Sequence, residues 1–282
     1  MTRRHKFYFQ GISSPSCRSC IAYSMIRALQ DRIDVAAGDS PAIEIAQKGY
    51  RLRLAASPAD VQAALRLRFL VFNLELNEGL ATAFDTGCDT DQFDSVCEHL
   101  IVEHVASGDV VGTYRLQTGL MAMKNYGYYS EREFDFAPYE SIRDSIIELG
   151  RACIHREHRS KEVLQLLWRG IARYAVQHGA RYLIGCSSLT SQEPARGTSV
   201  YMALHGYLTE PRLRTVPTEA FAMPPVCGTA DASVPKLLRA YLAIGARLCG
   251  PPAIDREFKT IDFLTLMDLA GLPDCVRSRF FR

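Results

Sequence analysis

Long apolar runs are missing from this 282-residue chain; none approaches the roughly 18 consecutive residues that a membrane-spanning helix requires. A dominant charge is missing as well. Charged residues make up 23% of the chain and the formal net charge is only +2, so no global field favours a nucleic-acid partner. The cysteines show no regular ladder. Nine are present, an odd number, at positions 17, 20, 88, 97, 153, 186, 227, 249 and 275, which reads as a set of reduced thiols and not a disulfide framework. The basic start, Met1-Thr2-Arg3-Arg4-His5-Lys6, is followed by Gln10, Ser13, Ser14, Pro15 and Ser16. Those polar residues interrupt the apolar core that a signal peptide needs. Internal repeats and low-complexity tracts are also lacking. The resulting expectation is a cytoplasmic protein, with peripheral contact at the inner face of the membrane left open.

What is present is a core-forming composition, 48% hydrophobic, enough for one large domain with an appendage. Residues 1–45 read as a leader with a short helix at 21–32, and residues 46–282 as the catalytic domain. Residues 50–54 alternate as a strand. Ser57-Pro58 then supplies an N-cap and a proline at the first helical position. In the helix that follows, Val61, Leu65, Phe69 and Phe72 recur at helical spacing, with Arg68 on the edge of that stripe. A Gly/Thr/Asp-rich loop at 79–94 leads to two β-rich runs, 99–104 and 110–116, separated by Ala106-Ser107-Gly108-Asp109, a hairpin signal. After a tyrosine-rich loop at 125–139, the pattern predicts a strand at 146–154, a helix at 163–178 closed by Gly179, and a strand at 181–188. That order implies parallel neighbours. A Pro-rich loop after residue 188, a helix at 235–249 and a last strand at 261–266 complete the reading.

The most informative phrase is Glu148-Leu149-Gly150-Arg151-Ala152-Cys153-Ile154-His155. It sets a carboxylate and a guanidinium in an otherwise apolar strand, where an unpaired ion is costly. A bulge at Gly150 would turn both towards one cleft; the same spacing also suits a structural ion pair at a strand end. Next, His155, Arg156, Arg159, Ser160 and Lys161 form a basic turn at the start of a helix, a favourable anion site. Cys153, two residues from His155, raises the question of a covalent acyl-enzyme, but no orienting third group is visible and packing is the plainer role. Cys17 and Cys20 form a single CxxC without a second pair, and no metal is expected. Trp168 lies at helical spacing and reads as core, with the wall of an apolar pocket as the alternative.

Together with Arg159-Ser160 and Leu166-Leu167-Trp168-Arg169-Gly170-Ile171-Ala172, that phrase resembles the central block of bacterial ornithine–acyl-carrier-protein N-acyltransferases and related haemolysin-like acyltransferases. Four flanking blocks agree in order: 97–102, 110–116, 182–188 and 254–262. The resemblance covers residues 48–270. It implies an α/β (α+β) GCN5-related N-acyltransferase fold, a central mixed and mostly antiparallel twisted sheet flanked by helices, distantly similar to acyl-homoserine-lactone synthases. By that likeness Arg68, Phe72, Asp91, Asp94 and Cys153 bind substrate, and Glu148, Arg151 and Arg115 carry the chemistry. His155, Arg156, Arg159, Ser160 and Lys161 would receive the pantetheine phosphate of an acyl carrier protein. Arg159-Ser160-Lys161-Glu162 lacks the glycines of the usual acetyl-coenzyme-A loop, which favours a carrier-protein thioester as donor substrate with no separate cofactor. The implied activity is transfer of a long, 3-hydroxylated acyl chain to an amino acid, ornithine first, in aminolipid biosynthesis. Synthesis of N-acyl tyrosine or of acyl-homoserine lactone, or a non-catalytic carrier-protein or membrane-surface binding module, are the other readings. An interior carboxylate such as Glu148 favours an enzyme over simple docking.

Overall fold

The computed structural model describes residues 42–228 and 232–281. The helix expected at 21–32 and the Cys17/Cys20 pair lie outside the described residues. Strands β1 (Glu44–Gln47), β2 (Tyr50–Leu54), β3 (Glu98–His104), β4 (Val110–Thr118) and β5 (Ile146–Ile154) run antiparallel in chain order. β6 (Tyr182–Leu189) then lies parallel to β5. β7 (Arg247–Leu248) and β8 (Ala253–Asp255) are short and pair with β9 (Thr260–Asp268), which is itself antiparallel to β6. The sheet is thus mixed, with β5–β6 the single parallel neighbour pair among these strands, as the strand-helix-strand order at 146–188 implies. β1 straddles the expected leader boundary, and Ile43 and Ile45 are buried in the core.

Helices cover both faces. α1 (Pro58–Arg68) begins where Ser57 Oγ accepts a hydrogen bond from Asp60 N, and packs over β4 and β3 on the side of Cys153 and Thr113. It passes directly into a π-helical turn, Phe69–Glu75, a distortion that gathers at functional sites. A short α2 (Gly119–Lys124) follows β4. α3 (Lys161–Gln177) is capped by Ser160 and buries Val163, Leu167, Ile171 and Tyr174 against the opposite face. At Gly170 a Cβ would lie 2.7–2.9 Å from Leu100 and Leu52, so glycine allows α3 to sit close to the sheet. α4 (Pro194–Ala203), α5 (Lys236–Ala243) and α6 (Asp274–Phe280) complete the chain.

Two expectations are corrected here. The helix read over 235–249 stops at Ala243, because Gly245 turns to φ +116° and Arg247–Leu248 joins the sheet edge as β7. α4 was read as loop. Its segment contains Gly197, Thr198 and Ser199, which are weak helix formers, and only packing of Val200 and Leu204 against β9 and α5 makes it helical. Among the described residues no helix is long and apolar enough to cross a membrane.

Candidate active site

β5 and β6 pair only from Ile146/Tyr182 to Glu148/Ile184 and then part, β5 staying with β4 and β6 with β9. A cavity of about 300 Å³ opens in the split. At its apex a Cβ on Gly185 would lie 2.2 Å from Leu149 O, so no other residue fits at the point of divergence. One wall is apolar, formed by Tyr114, Leu149, Trp168, Leu183, Leu238 and Tyr241. The other is polar and carries Glu148, Arg115, Arg151, Glu78 and Asp262.

Glu148 stands at the last paired rung, 5% exposed. Its Oε2 accepts from Tyr129 N at 2.7 Å, and its Oε1 accepts from Ser130 N at 2.8 Å and from Ser130 Oγ at 2.5 Å. All three donors come from the short 3₁₀ turn Tyr129–Arg132. Burial pushes the carboxyl above its ordinary range, opposed by these hydrogen bonds and by the nearby Arg115 charge. A carboxylate that is desolvated yet held by donors is suited to accept a proton from a substrate amine.

Arg151 follows in β5, where Thr113 pairs with Cys153 and Arg115 with Gly150, so Tyr114 faces two residues, Arg151 and Ala152. This is a bulge one position beyond the glycine expected to permit it. The left-handed residue is Arg151 itself, at φ +48°, and not Gly150. Its guanidinium is clamped between the rings of Phe72 and Phe258, 4.2 and 4.5 Å from their centroids, and paired with Asp89. Cation–π contact and ion pairing offset the cost of a strained backbone.

Beneath it lies a buried network. Arg68, 1% exposed, donates to Asp89 Oδ1 at 2.6 and 2.9 Å and to Asp94 at 2.6 and 3.1 Å. Arg115 Nη1 reaches both oxygens of Asp91, at 2.6 and 2.7 Å, and Asp94 Oδ1 at 3.0 Å. Three arginines face three aspartates, so the charges balance. Arg68, Asp91 and Asp94, expected to touch substrate, do not line the cavity; they hold Arg115 and, through Asp89, Arg151. Asp89 was not singled out in the sequence. Four aspartates, Asp85, Asp89, Asp91 and Asp94, share the 79–94 loop without periodicity, which gives no means of adding Asp89 to the two that the resemblance points to.

Cys153 is also absent from the cavity wall. It packs with Leu67 and Val71, and burial pushes its thiol up to about 12. Such a thiol is a poor nucleophile at neutral pH. Cys153→Ala is therefore expected to retain most of its turnover while losing about 1–2 kcal/mol of stability, measured by steady-state assay and urea unfolding; abolished turnover with a native fold would restore the acyl-enzyme route. The basic turn follows β5 and does not line the cavity. Ser160 caps α3, Arg159 is occupied by Glu75 and by Ile154 O, and Arg156 and Lys161 are exposed. His155 caps the 3₁₀ turn Arg156–His158.

Asp262 of the polar wall converges with two carboxylates that do not line the cavity, Glu133 and Asp255. Glu133, Asp255 and Asp262 are all buried, each offering an oxygen within 4.8 Å of the others. This is the geometry of a cation site. Asp255 and Asp262 belong to the sequence block 254–262, whose acidic residues had been given no role.

Comparison with known proteins agrees with this architecture. Residues 67–169 match a family model described as an acetyltransferase (GNAT) domain. The L-ornithine N(alpha)-acyltransferase of Agrobacterium fabrum (strain C58 / ATCC 33970) is 31% identical over 242 residues, 78% of this chain and 81% of that protein. Its counterpart in Brucella abortus (strain 2308) is 33% identical over 236 residues, 77% and 84% of the two chains. Among solved structures, FeeM, an N-acyl amino acid synthase from uncultured soil microbes, aligns with a TM-score of 0.50 at 11% identity over 82% of this chain and 95% of that one. That likeness is one of fold.

Proposed function

Because the chain belongs to the L-ornithine N(alpha)-acyltransferase family and is an enzyme of the GCN5-related acyltransferase type, we propose that it moves a long-chain 3-hydroxyacyl group from acyl carrier protein to the α-amine of ornithine. Its place is aminolipid biosynthesis. The observation that supports this reading best is Glu148, a buried carboxylate at the strand split, between an apolar wall suited to an acyl chain and a polar wall suited to an amino acid.

In the step, the amine nitrogen attacks the thioester carbonyl, the new C–N bond forms, and the C–S bond breaks. Glu148 accepts the proton released by the amine, and the pantetheine sulfur leaves and is protonated. Backbone amides around the Arg151–Ala152 bulge lie beside the carbonyl and oppose the developing negative charge. Arg151 keeps Nη1 as a donor beyond its Nε and Nη2 bonds to Asp89, available to the amino-acid carboxylate. The N-terminus of α3, with Arg156 and Lys161, receives the pantetheine phosphate.

The test is mass spectrometry of products after incubation with 3-hydroxyacyl carrier protein, or the matching coenzyme A thioester, and a panel of amino acids. An N-acyl-ornithine formed faster from the carrier protein is expected. Equal or faster transfer from coenzyme A would sink the donor assignment. The absence of any N-acyl amino acid would sink the reading itself.

A further inference from the structure

The Glu133, Asp255 and Asp262 carboxyl groups converge in one buried cluster. Among the described residues, none of the three forms an ion pair with a lysine, arginine or histidine, whereas Asp89, Asp91 and Asp94 each pair with an arginine. Asp255 is satisfied locally, its Oδ1 accepting from Glu257 N and Phe258 N at 2.7 and 2.9 Å and its Oδ2 from Tyr129 OH at 3.3 Å. The other two are not. Glu133 Oε1 and Asp262 Oδ1 have no hydrogen-bond partner, in residues only 1% and 4% exposed. Leaving such oxygens unpaired is expensive. Burial and mutual repulsion drive Asp262 up to about 6 and Glu133 well above the carboxylate range.

The position of the group decides what it is for. Asp262, Thr260 and Cys186 line the same cavity as Glu148. Three contacts lead from base to cluster: Glu148 Oε1 to Ser130 Oγ at 2.5 Å, Ser130 Oγ to Cys186 Sγ at 3.5 Å, and Cys186 Sγ to Glu133 Oε2 at 3.7 Å. The two nitrogens of an extended 2,5-diamino acid lie about 6 Å apart by ordinary bond lengths. Those contacts put the base and the cluster no farther apart than such a molecule, with a hydrogen bond at each end, can reach.

We propose that Glu133, Asp255 and Asp262 form the subsite for the side-chain ammonium of the acceptor, so that the enzyme selects a diamino acid by its second, non-reacting amine. This rests on the amino-acid N-acyltransferase reading above. An acceptor lacking the second amine leaves the carboxylates unpaired at the moment of reaction, and a site built to bind a polar group discriminates strongly against the analogue without it. The α-amine is thereby held at Glu148 and the distal amine is kept from the thioester.

The experiment uses the full chain with 3-hydroxyacyl carrier protein and compares ornithine with norvaline, which has the same carbon chain and no second amine. We expect wild-type kcat/KM for ornithine to exceed that for norvaline by about 10³-fold or more. In Glu133→Gln and Asp262→Asn that ratio should collapse towards about tenfold, mainly through a raised KM for ornithine. The wild-type comparison needs no variant to fold. Equal use of the two acceptors by wild-type enzyme overturns the subsite and leaves the acyltransferase reading intact, whereas no acylation of either overturns the reading itself. A third arm adds EDTA and then Mg²⁺, Mn²⁺ or Ca²⁺. Activity lost to the chelator and restored by one cation, with calorimetric binding of that cation abolished in Glu133→Gln, makes the cluster a metal site and overturns the proposal.

Discussion

Glu148→Gln is expected to lower kcat by about 10²–10⁴-fold, the range that a positioned general base supplies, while the protein unfolds as the parent does. Glutamine keeps the size of the side chain, and its one amide oxygen can still accept from Ser130 N and Ser130 Oγ, so packing at the strand split survives with Tyr129 N alone losing its acceptor. What it loses is the capacity to take the amine proton. The pH profile adds a second readout. Burial raises the Glu148 pKa above its ordinary 4.5, and a base must be deprotonated, so activity should rise with pH along a limb centred above 4.5. Ser130 donates to the ionised form. Removing that donor disfavours ionisation, so Ser130→Ala should displace the limb to higher pH. Full activity in Glu148→Gln, or a limb that ignores Ser130→Ala, would remove Glu148 from the proton-transfer role.

Asp89→Asn should cost about 3–5 kcal/mol of folding stability, because it leaves Arg68 buried with half of its countercharge gone. Asp89 is fully buried and serves Arg68 and Arg151 together. The loss should appear in urea unfolding followed through Trp168, the single tryptophan, which packs against Tyr241 and Phe280. Turnover should fall as well, since Arg151 would lose the anchor that sets it in the cavity wall. A cost below about 1 kcal/mol, the level of an exposed ion pair, would show that the network does not carry the loop.

Acid stability follows from the same group of residues. His99 lies beside Asp94, and burial lowers its pKa from 6.5 to about 4. Arg151 and Arg68 hold Asp89 below its ordinary 3.8, while Arg68 and Arg115 do the same for Asp94, in both cases against burial. All three bind fewer protons folded than unfolded. Their contribution is therefore present at neutral pH and is lost on acidification. His99 gives way between pH 6.5 and about 4, and the two aspartates below 3.8.

The parts of this protein legible in the sequence were those written within one continuous segment. Glu148 and Arg151 stood out because a regular strand of apolar residues does not carry charges without cause. The strand at 146–154 and the start of α1 at Ser57-Pro58 were read from periodicity and capping, which act over a few residues. The bulge was also visible as a need, but its place was not. Which residue takes the left-handed turn depends on partners that offset its strain, and for Arg151 those are Phe72, Phe258 and Asp89, all remote in sequence.

By itself, then, the sequence determined the fold family, the strand that carries Glu148 and Arg151 and the basic turn beside it, because local patterning and an ordered set of blocks record those directly. Only the tertiary structure decided which charges face substrate and which face each other. It joined Arg68 and Arg115 with Asp91 and Asp94 in one buried neutral network and drew Glu133, Asp255 and Asp262 together from segments more than a hundred residues apart. Electrostatic role is a property of distance and burial, and a chain acquires both only when its sheet has closed around them.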